Sequence, residues 1–205
     1  MRRATWILGA MILVAASVVA GSTWHLKPDR PVPQGDGYNP AVTIKDLMDS
    51  IVDPSADDVW NAVTTTIDQQ GTDKKEPRTD EDWANVRRGA VRLVEGANLL
   101  MMPGRHMARP GEKSTTPGVE LEPAEMETLV NQDRPTWNQR AKALQGVALE
   151  VLQAVDARSP DRLFDAGDRL DAACENCHRR YWYPNEKIPE FPPDVPASGK
   201  PAARN

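Results

Sequence analysis

Hydrophobic residues recur at helical spacing in four segments of the chain, and each segment predicts one amphipathic helix. The first segment covers about residues 41–69. Its apolar stripe consists of Ile44, Leu47, Met48, Ile51, Val59, Val63 and Ile67. Inside this segment, Asp53 followed by Pro54 favours a kink or a restart of the helix rather than a loop, because proline fits the first position after an aspartate cap.

The second helix is predicted to begin after Thr79, a capping residue followed by three acidic residues that suit the positive end of the helix dipole. It is predicted to end at Met102, which precedes a proline and a glycine. The apolar face of this helix consists of Trp83, Val86, Ala90, Leu93, Ala97 and Leu100.

A connection rich in Pro, Gly, Thr and Glu follows at residues 103–135, with a short predicted helical turn at 123–130. A connection of this length is expected to cross the surface of the domain. The third helix then carries a heptad seam of Trp137, Ala141, Leu144, Ala148, Val151 and Val155. The fourth opens at Ser159-Pro160-Asp161 and carries the stripe Leu163, Ala166, Leu170, Ala173 and Cys177. No segment alternates with the period of a strand, so we expect an all-α fold, a four-helix bundle.

The two ends of the chain differ from this central part. Arg2 and Arg3 precede an uncharged, largely apolar stretch at residues 4–24, so residues 1–24 predict either a cleaved signal peptide or an uncleaved membrane anchor. Both alternatives export the body of the protein to the periplasm. Proline-rich segments at 25–40 and 185–205 predict a linker and a tail, which leaves 41–184 as the packed domain.

Composition narrows the range of functions. The chain has 205 residues and a formal net charge of −5, without a cluster of Lys and Arg, so no nucleic-acid partner is expected. It contains two cysteines, which excludes a disulfide-rich scaffold and leaves one disulfide, one metal site or one cofactor as their use.

The cysteines belong to the sequence Cys174-Glu175-Asn176-Cys177-His178, the CxxCH pattern of covalent c-type haem attachment. Residues three and four apart share one face of a helix. Both thiols can therefore add to the two haem vinyl groups while the imidazole reaches the iron. We expect one haem c, with Cys174 and Cys177 as thioethers and His178 as the proximal iron ligand. The predicted export signal agrees with this expectation, since c-type haem is attached outside the bacterial inner membrane.

Three other uses of these residues fit less well. A thioredoxin-type dithiol lies at a helix N-terminus, whereas this pair lies near a helix C-terminus. A structural zinc site needs four Cys or His ligands, and beyond the motif the chain has His25 in the linker and His106 in the long connection. A disulfide across two intervening residues would close too short a loop to stabilise the chain much.

With this motif near the end of its last helix, the chain resembles the class II cytochromes c, the group of cytochrome c′ and cytochrome c556, over residues 41–184. The matching stretches are CENCHRRYWYP, TIKDLMDSIVDPSADDVW and WANVRRGAVRLVEGANLLMMPGR. The resemblance implies a four-helix bundle with one haem. It departs from cytochrome c′ at Trp182, where that group has a basic residue four positions after the haem-binding histidine.

In the c556-like branch, a methionine of the first helix is the sixth iron ligand, and Met48 occupies that place here. The resemblance implies a one-electron carrier rather than an enzyme, with other redox proteins as partners. Two alternatives stay open: a five-coordinate haem protein that binds NO or CO, if Met48 only packs in the core, and a haem subunit of a larger membrane redox complex. Family members often form homodimers through the first two helices, although no residue here requires it.

Further expectations concern the surroundings of the haem. Tyr181, Trp182 and Tyr183 are expected to pack around it or to close the end of the bundle. Arg179 and Arg180 suit the helix dipole and are also candidates to pair with haem propionates. The long connection is a candidate cover for one haem edge. The remaining methionines of this region are expected to be packing or surface residues: Met101, Met102, Met107 and Met126.

Overall fold

Helices make up most of the structure, a computed structural model that describes residues 37–69 and 71–187. In chain order its elements are α1 (Ile44–Leu47), a π-helical segment (Met48–Val52), α2 (Asp53–Trp60), β1 (Thr64–Asp68), β2 (Gly71–Lys75), α3 (Asp80–Met101), α4 (Pro123–Gln132), α5 (Arg134–Asp156) and α6 (Pro160–Tyr181). The mainly helical fold predicted from the sequence is confirmed. The expected export segment at 1–24 lies outside the described residues, as do most of the linker and most of the tail. Within the described part, no helix is long and apolar enough to cross a membrane.

The first helical stretch runs without a loop from α1 to α2, but its hydrogen bonding changes in the middle. Thr43 and Asp46 cap its start reciprocally, with each backbone N–H donating to the other side chain at 3.0 Å. Further on, the Asp53 N–H donates to the Met48 carbonyl, five residues back instead of four. Pro54 has no N–H to donate and its ring crowds the preceding turn, so a regular α-helical ladder cannot continue through it. The predicted interruption without a loop is confirmed.

A β-hairpin follows α2, where the sequence pattern predicts more helix and no strand. β1 and β2 pair antiparallel, and every residue of both strands is exposed. Ile67, which the pattern assigns to the apolar stripe, is 78% exposed. Three consecutive threonines open β1, and β-branched residues favour an extended chain. Gly71 begins β2 with φ 134°, a backbone conformation that favours glycine, so the helix prediction beyond Trp60 is wrong.

The other predicted helices are confirmed. α3 begins after Thr79, whose hydroxyl accepts from the Asp82 N–H at 3.1 Å, and α6 begins after the Ser159 cap. The apolar stripes predicted for α3 and α5 are buried throughout. In α6 the first three residues of the stripe are buried, whereas Ala173 and Cys177 are half-buried, because they face a cavity.

One apolar core lies between α2, α3, α5 and α6, with α3 packed mainly on α5 and α5 on α6. The Trp60 indole N–H donates to the Gly167 carbonyl at 3.1 Å and so joins α2 to α6. Between α2 and α3, the fully buried Ser55 hydroxyl accepts from Arg92 Nε at 3.0 Å. The two helices approach closely at Gly89, where an added Cβ would lie 2.9 Å from Asp58 Cβ.

We expect Gly89→Ala to lower the free energy of unfolding by roughly 1–3 kcal/mol, because the methyl group has to displace atoms of α2. Gly146→Ala is the matched control. Gly146 is exposed in α5 and a Cβ there meets nothing within 4 Å, so the same change should raise the free energy of unfolding by about 0.5–1 kcal/mol. Urea denaturation followed by circular dichroism measures both variants. Equal effects would contradict the close packing of α2 on α3.

Candidate cofactor-binding site

The end of α6 places the motif residues side by side along a cavity wall. Cys174, Cys177, His178 and Tyr181 follow one another at the spacing of one helix face. Cys177, His178 and Tyr181 line a cavity of about 180 Å³. A second cavity, of about 20 Å³, is lined by Cys174, Cys177 and His178. The two sulfur atoms and the imidazole therefore reach the same space.

Both cysteines are unbonded and half-buried. Burial raises the pKa of the Cys174 thiol to about 12, and the carboxylates of Asp53 and Asp171 act in the same direction. Burial likewise raises the pKa of Cys177 to about 11. Redox-active and metal-binding cysteines need the thiolate, which a lowered pKa favours. The shifts here have the opposite sign, so burial favours the protonated thiols in the chain without a bound group. Within the described ranges, no group of three or more His, Cys, Asp and Glu could hold a metal ion.

The imidazole of His178 lies against two aromatic rings. Its centroid is 5.1 Å from that of Trp182 and 5.8 Å from that of Tyr183, both in edge-to-face arrangement. Burial lowers the pKa of the imidazole, against the opposite effect of the Asp53 and Glu175 carboxylates. Burial therefore favours the neutral form of the ring, which is the form that binds metal ions.

Met48, the first residue of the π-helical segment, lines both cavities. Met107 and Met126, expected only as packing or surface residues, line the larger cavity as well. Of these three, Met48 alone shares the smaller cavity with the two cysteines. His106 is exposed, lies 3.2 Å from the Glu127 carboxylate and lines neither cavity.

The long connection between α3 and α4 forms one wall of the larger cavity. Near its start, Ile44 N–H donates to the His106 carbonyl at 2.9 Å, and near its end Leu121 N–H donates to the Trp182 carbonyl at 2.8 Å. The cavity-lining residues of this connection are Met107, Ala108, Glu112, Lys113, Ser114, Thr115 and Glu120. The connection thus forms the wall of the cavity between α1 and the end of α6, a role that no periodic pattern in the sequence indicates.

α5 supports the site through Trp137, which lines both cavities and is 3% exposed. Its indole N–H donates to the Leu100 carbonyl at 2.8 Å, and its ring meets Tyr181 edge to face with centroids 5.1 Å apart. Nearby, Arg140 donates from Nη1 to the Asn176 carbonyl at 2.6 Å. These contacts join the motif helix to α5 and to the end of α3.

The two arginines that follow the motif already have protein partners. Arg179 lies 3.1 Å from the Glu175 carboxylate, and Arg180 lies 3.4 Å from that of Asp133. Both ion pairs are largely exposed, and exposed pairs contribute little to stability. Each guanidinium thus has a carboxylate partner within the chain, and the pairing of these arginines with haem propionates stays a prediction.

The residues around the cavities fit a haem. A haem supplies four nitrogen ligands to its own iron, so it needs from the chain only axial ligands and an apolar enclosure. The walls offer a neutral imidazole, the thioether of Met48 and two protonated thiols. The Tyr181 hydroxyl is buried and makes no hydrogen bond to any described residue.

Comparisons of the chain with protein families, with curated proteins and with solved structures find no match. A helical fold by itself is compatible with many functions. The functional argument therefore depends on the motif and on the side chains around it.

In the chain without haem, both thiols should react slowly with iodoacetamide at pH 8. At pKa values of about 11 for Cys177 and 12 for Cys174, the thiolate fractions are lower than that of a free cysteine by about 10²-fold and about 10³-fold, and the greater nucleophilicity of such thiolates offsets only part of this. We expect alkylation to be at least about tenfold slower than in the urea-unfolded chain, as followed by mass spectrometry. Equal rates in the two states would contradict the burial of the thiols.

Proposed function

We propose that this protein is an exported mono-haem c-type cytochrome of the class II group, a four-helix bundle that carries single electrons between redox proteins of the periplasm. The observation that carries the proposal is the row of Cys174, Cys177 and His178 on the wall of a cavity that Met48 also lines. Each residue type supplies one required contact: sulfur for the vinyl groups, and imidazole and thioether for the iron.

In this proposal Cys174 and Cys177 would hold the haem covalently, and His178 and Met48 would supply the two protein ligands of its iron. The bound haem supplies reversible one-electron chemistry between ferrous and ferric iron. The rings of Trp182 and Tyr183 restrain the orientation of the imidazole, and the apolar walls limit the access of water. An axial methionine raises the reduction potential relative to two histidines, which suits an electron carrier rather than an enzyme.

Covalent attachment is the first test. When the full chain is produced together with c-type haem maturation proteins, we expect its mass to exceed that of the polypeptide by one haem, which acidified acetone does not extract. Cys174→Ala combined with Cys177→Ala should abolish attachment, because thioether bonds need the sulfur atoms. His106→Ala is the control and should leave haem content unchanged, since this exposed residue pairs with Glu127. A wild-type chain without haem would overturn the proposal.

The sixth ligand is the second test. Met48→Ala should convert a low-spin, six-coordinate haem into a high-spin haem that binds CO, with loss of the weak methionine-to-iron absorption band. Met107→Ala and Met126→Ala are matched controls that remove methionines of the larger cavity, and both should keep the low-spin spectrum. A low-spin Met48→Ala protein would exclude this ligand. A high-spin wild type that binds CO would favour the gas-binding alternative.

A further inference from the structure

The carboxylate of Glu175, between the two cysteines of the motif, is held by two donors that follow it in the chain. One oxygen, Oε1, accepts from the Tyr183 hydroxyl at 2.6 Å, and the other, Oε2, accepts from Arg179 Nε at 3.1 Å. The pKa of Glu175 lies below its ordinary value, chiefly because of the hydrogen bond from Tyr183. Glu175 is therefore ionised at neutral pH, and hydrogen bonds to an ionised acceptor are short and strong.

Tyr183 is anchored at both of its ends. Its backbone N–H donates to the His178 carbonyl at 3.0 Å, and its hydroxyl reaches Glu175, eight residues earlier. Between these two hydrogen bonds the ring lies beside the imidazole of His178, with centroids 5.8 Å apart and planes inclined by 64°. A tyrosine ring is rigid, so the two hydrogen bonds fix the surface that it presents to the imidazole.

Tyr183 contacts the imidazole from outside the candidate site. His178 lines both cavities, whereas Tyr183 and Glu175 line neither of them. Trp182, the other ring beside His178, lines the larger cavity and would itself meet a group bound there. Tyr183 can therefore keep its contact with the imidazole when a group fills the cavity, and Glu175 can act on that contact without touching the group.

We infer that Glu175 is a positioning residue that, through Tyr183, fixes the rotation of the His178 imidazole about its bond to the haem iron. This inference rests on the proposed function, since it needs His178 as an iron ligand. Hydrogen-bonded partners behind a metal ligand commonly orient that ligand. The plane of an axial imidazole helps determine how the unpaired spin of ferric haem is distributed over the porphyrin. A residue at a position that the CxxCH pattern leaves open thus sets a property of the bound haem.

The test compares the ferric holoprotein of the wild type with Tyr183→Phe, Glu175→Ala and the double variant by proton NMR. The haem methyl resonances respond to the plane of the axial imidazole, so we expect their order or spread to change in both single variants. Because Glu175 acts through Tyr183, the double variant should show the same methyl shifts as Tyr183→Phe alone. The reduction potential does not decide, because the charge of Glu175 also acts on the imidazole directly.

Glu150→Ala is the matched control. It also removes a carboxylate paired with an arginine of α6, 2.6 Å from Arg169, and Glu150 lines neither cavity. Its haem methyl shifts should equal those of the wild type.

Wild-type methyl shifts in Tyr183→Phe would overturn the inference, and so would a further change in the double variant. If Glu175→Ala retains no haem, Tyr183→Phe decides alone. A wild type that attaches no haem is a different result, because it defeats the proposed function before the variants are compared. The ring contact then decides in the haem-free chain: a nuclear Overhauser contact between Tyr183 and His178 that persists in Glu175→Ala overturns the positioning role.

Discussion

The packing of Trp137 is the interaction on which the rest of the candidate site depends. One side chain joins three helices: it belongs to α5, its indole N–H donates to Leu100 at the end of α3, and its ring meets Tyr181 at the end of α6. It also lines both cavities. A smaller residue here would leave the order of side chains along α6 unchanged but would remove the wall that they share. The motif residues thus face one shared cavity only because α5 fixes the position of α6.

The second constraint comes from Pro54, which lies far from the motif in sequence. Because it cannot donate a backbone hydrogen bond, the preceding residues take a π-helical turn, and the Asp53 N–H reaches back five residues to Met48. One extra residue in a helical turn rotates the residues before the turn by about 100° relative to the residues after it. A continuous α-helix would therefore direct the side chain of Met48 elsewhere. π-Helical turns recur at functional sites for this reason.

The elements of the fold that can be predicted are those marked by signals in their own stretch of sequence. Capping residues and apolar stripes define α3, α5 and α6, and the motif spacing defines the face that carries Cys174 and His178. The hairpin was missed because its residues are polar and exposed, so no alternation of hydrophobic residues marks it. Met107 and Met126 were missed as cavity residues because they come from the connection and from α4, whose positions depend on hydrogen bonds between distant parts of the backbone.

Burial acts on the thiols and on the imidazole in one consistent way, because it favours the uncharged form of each. It raises the pKa of Cys174 and Cys177 and lowers that of His178. A bare divalent cation would lose its hydration on entering this space and would need charged partners there, of which the Asp53 carboxylate lines both cavities. Iron within a porphyrin arrives already surrounded by nitrogen ligands and carries far less net charge. A thioether, moreover, is uncharged at every pH, so covalent attachment of a haem would remove the energetic cost of ionising a thiol in this cavity. The uncharged state that burial favours in the three motif side chains is therefore compatible with the haem attachment proposed for them.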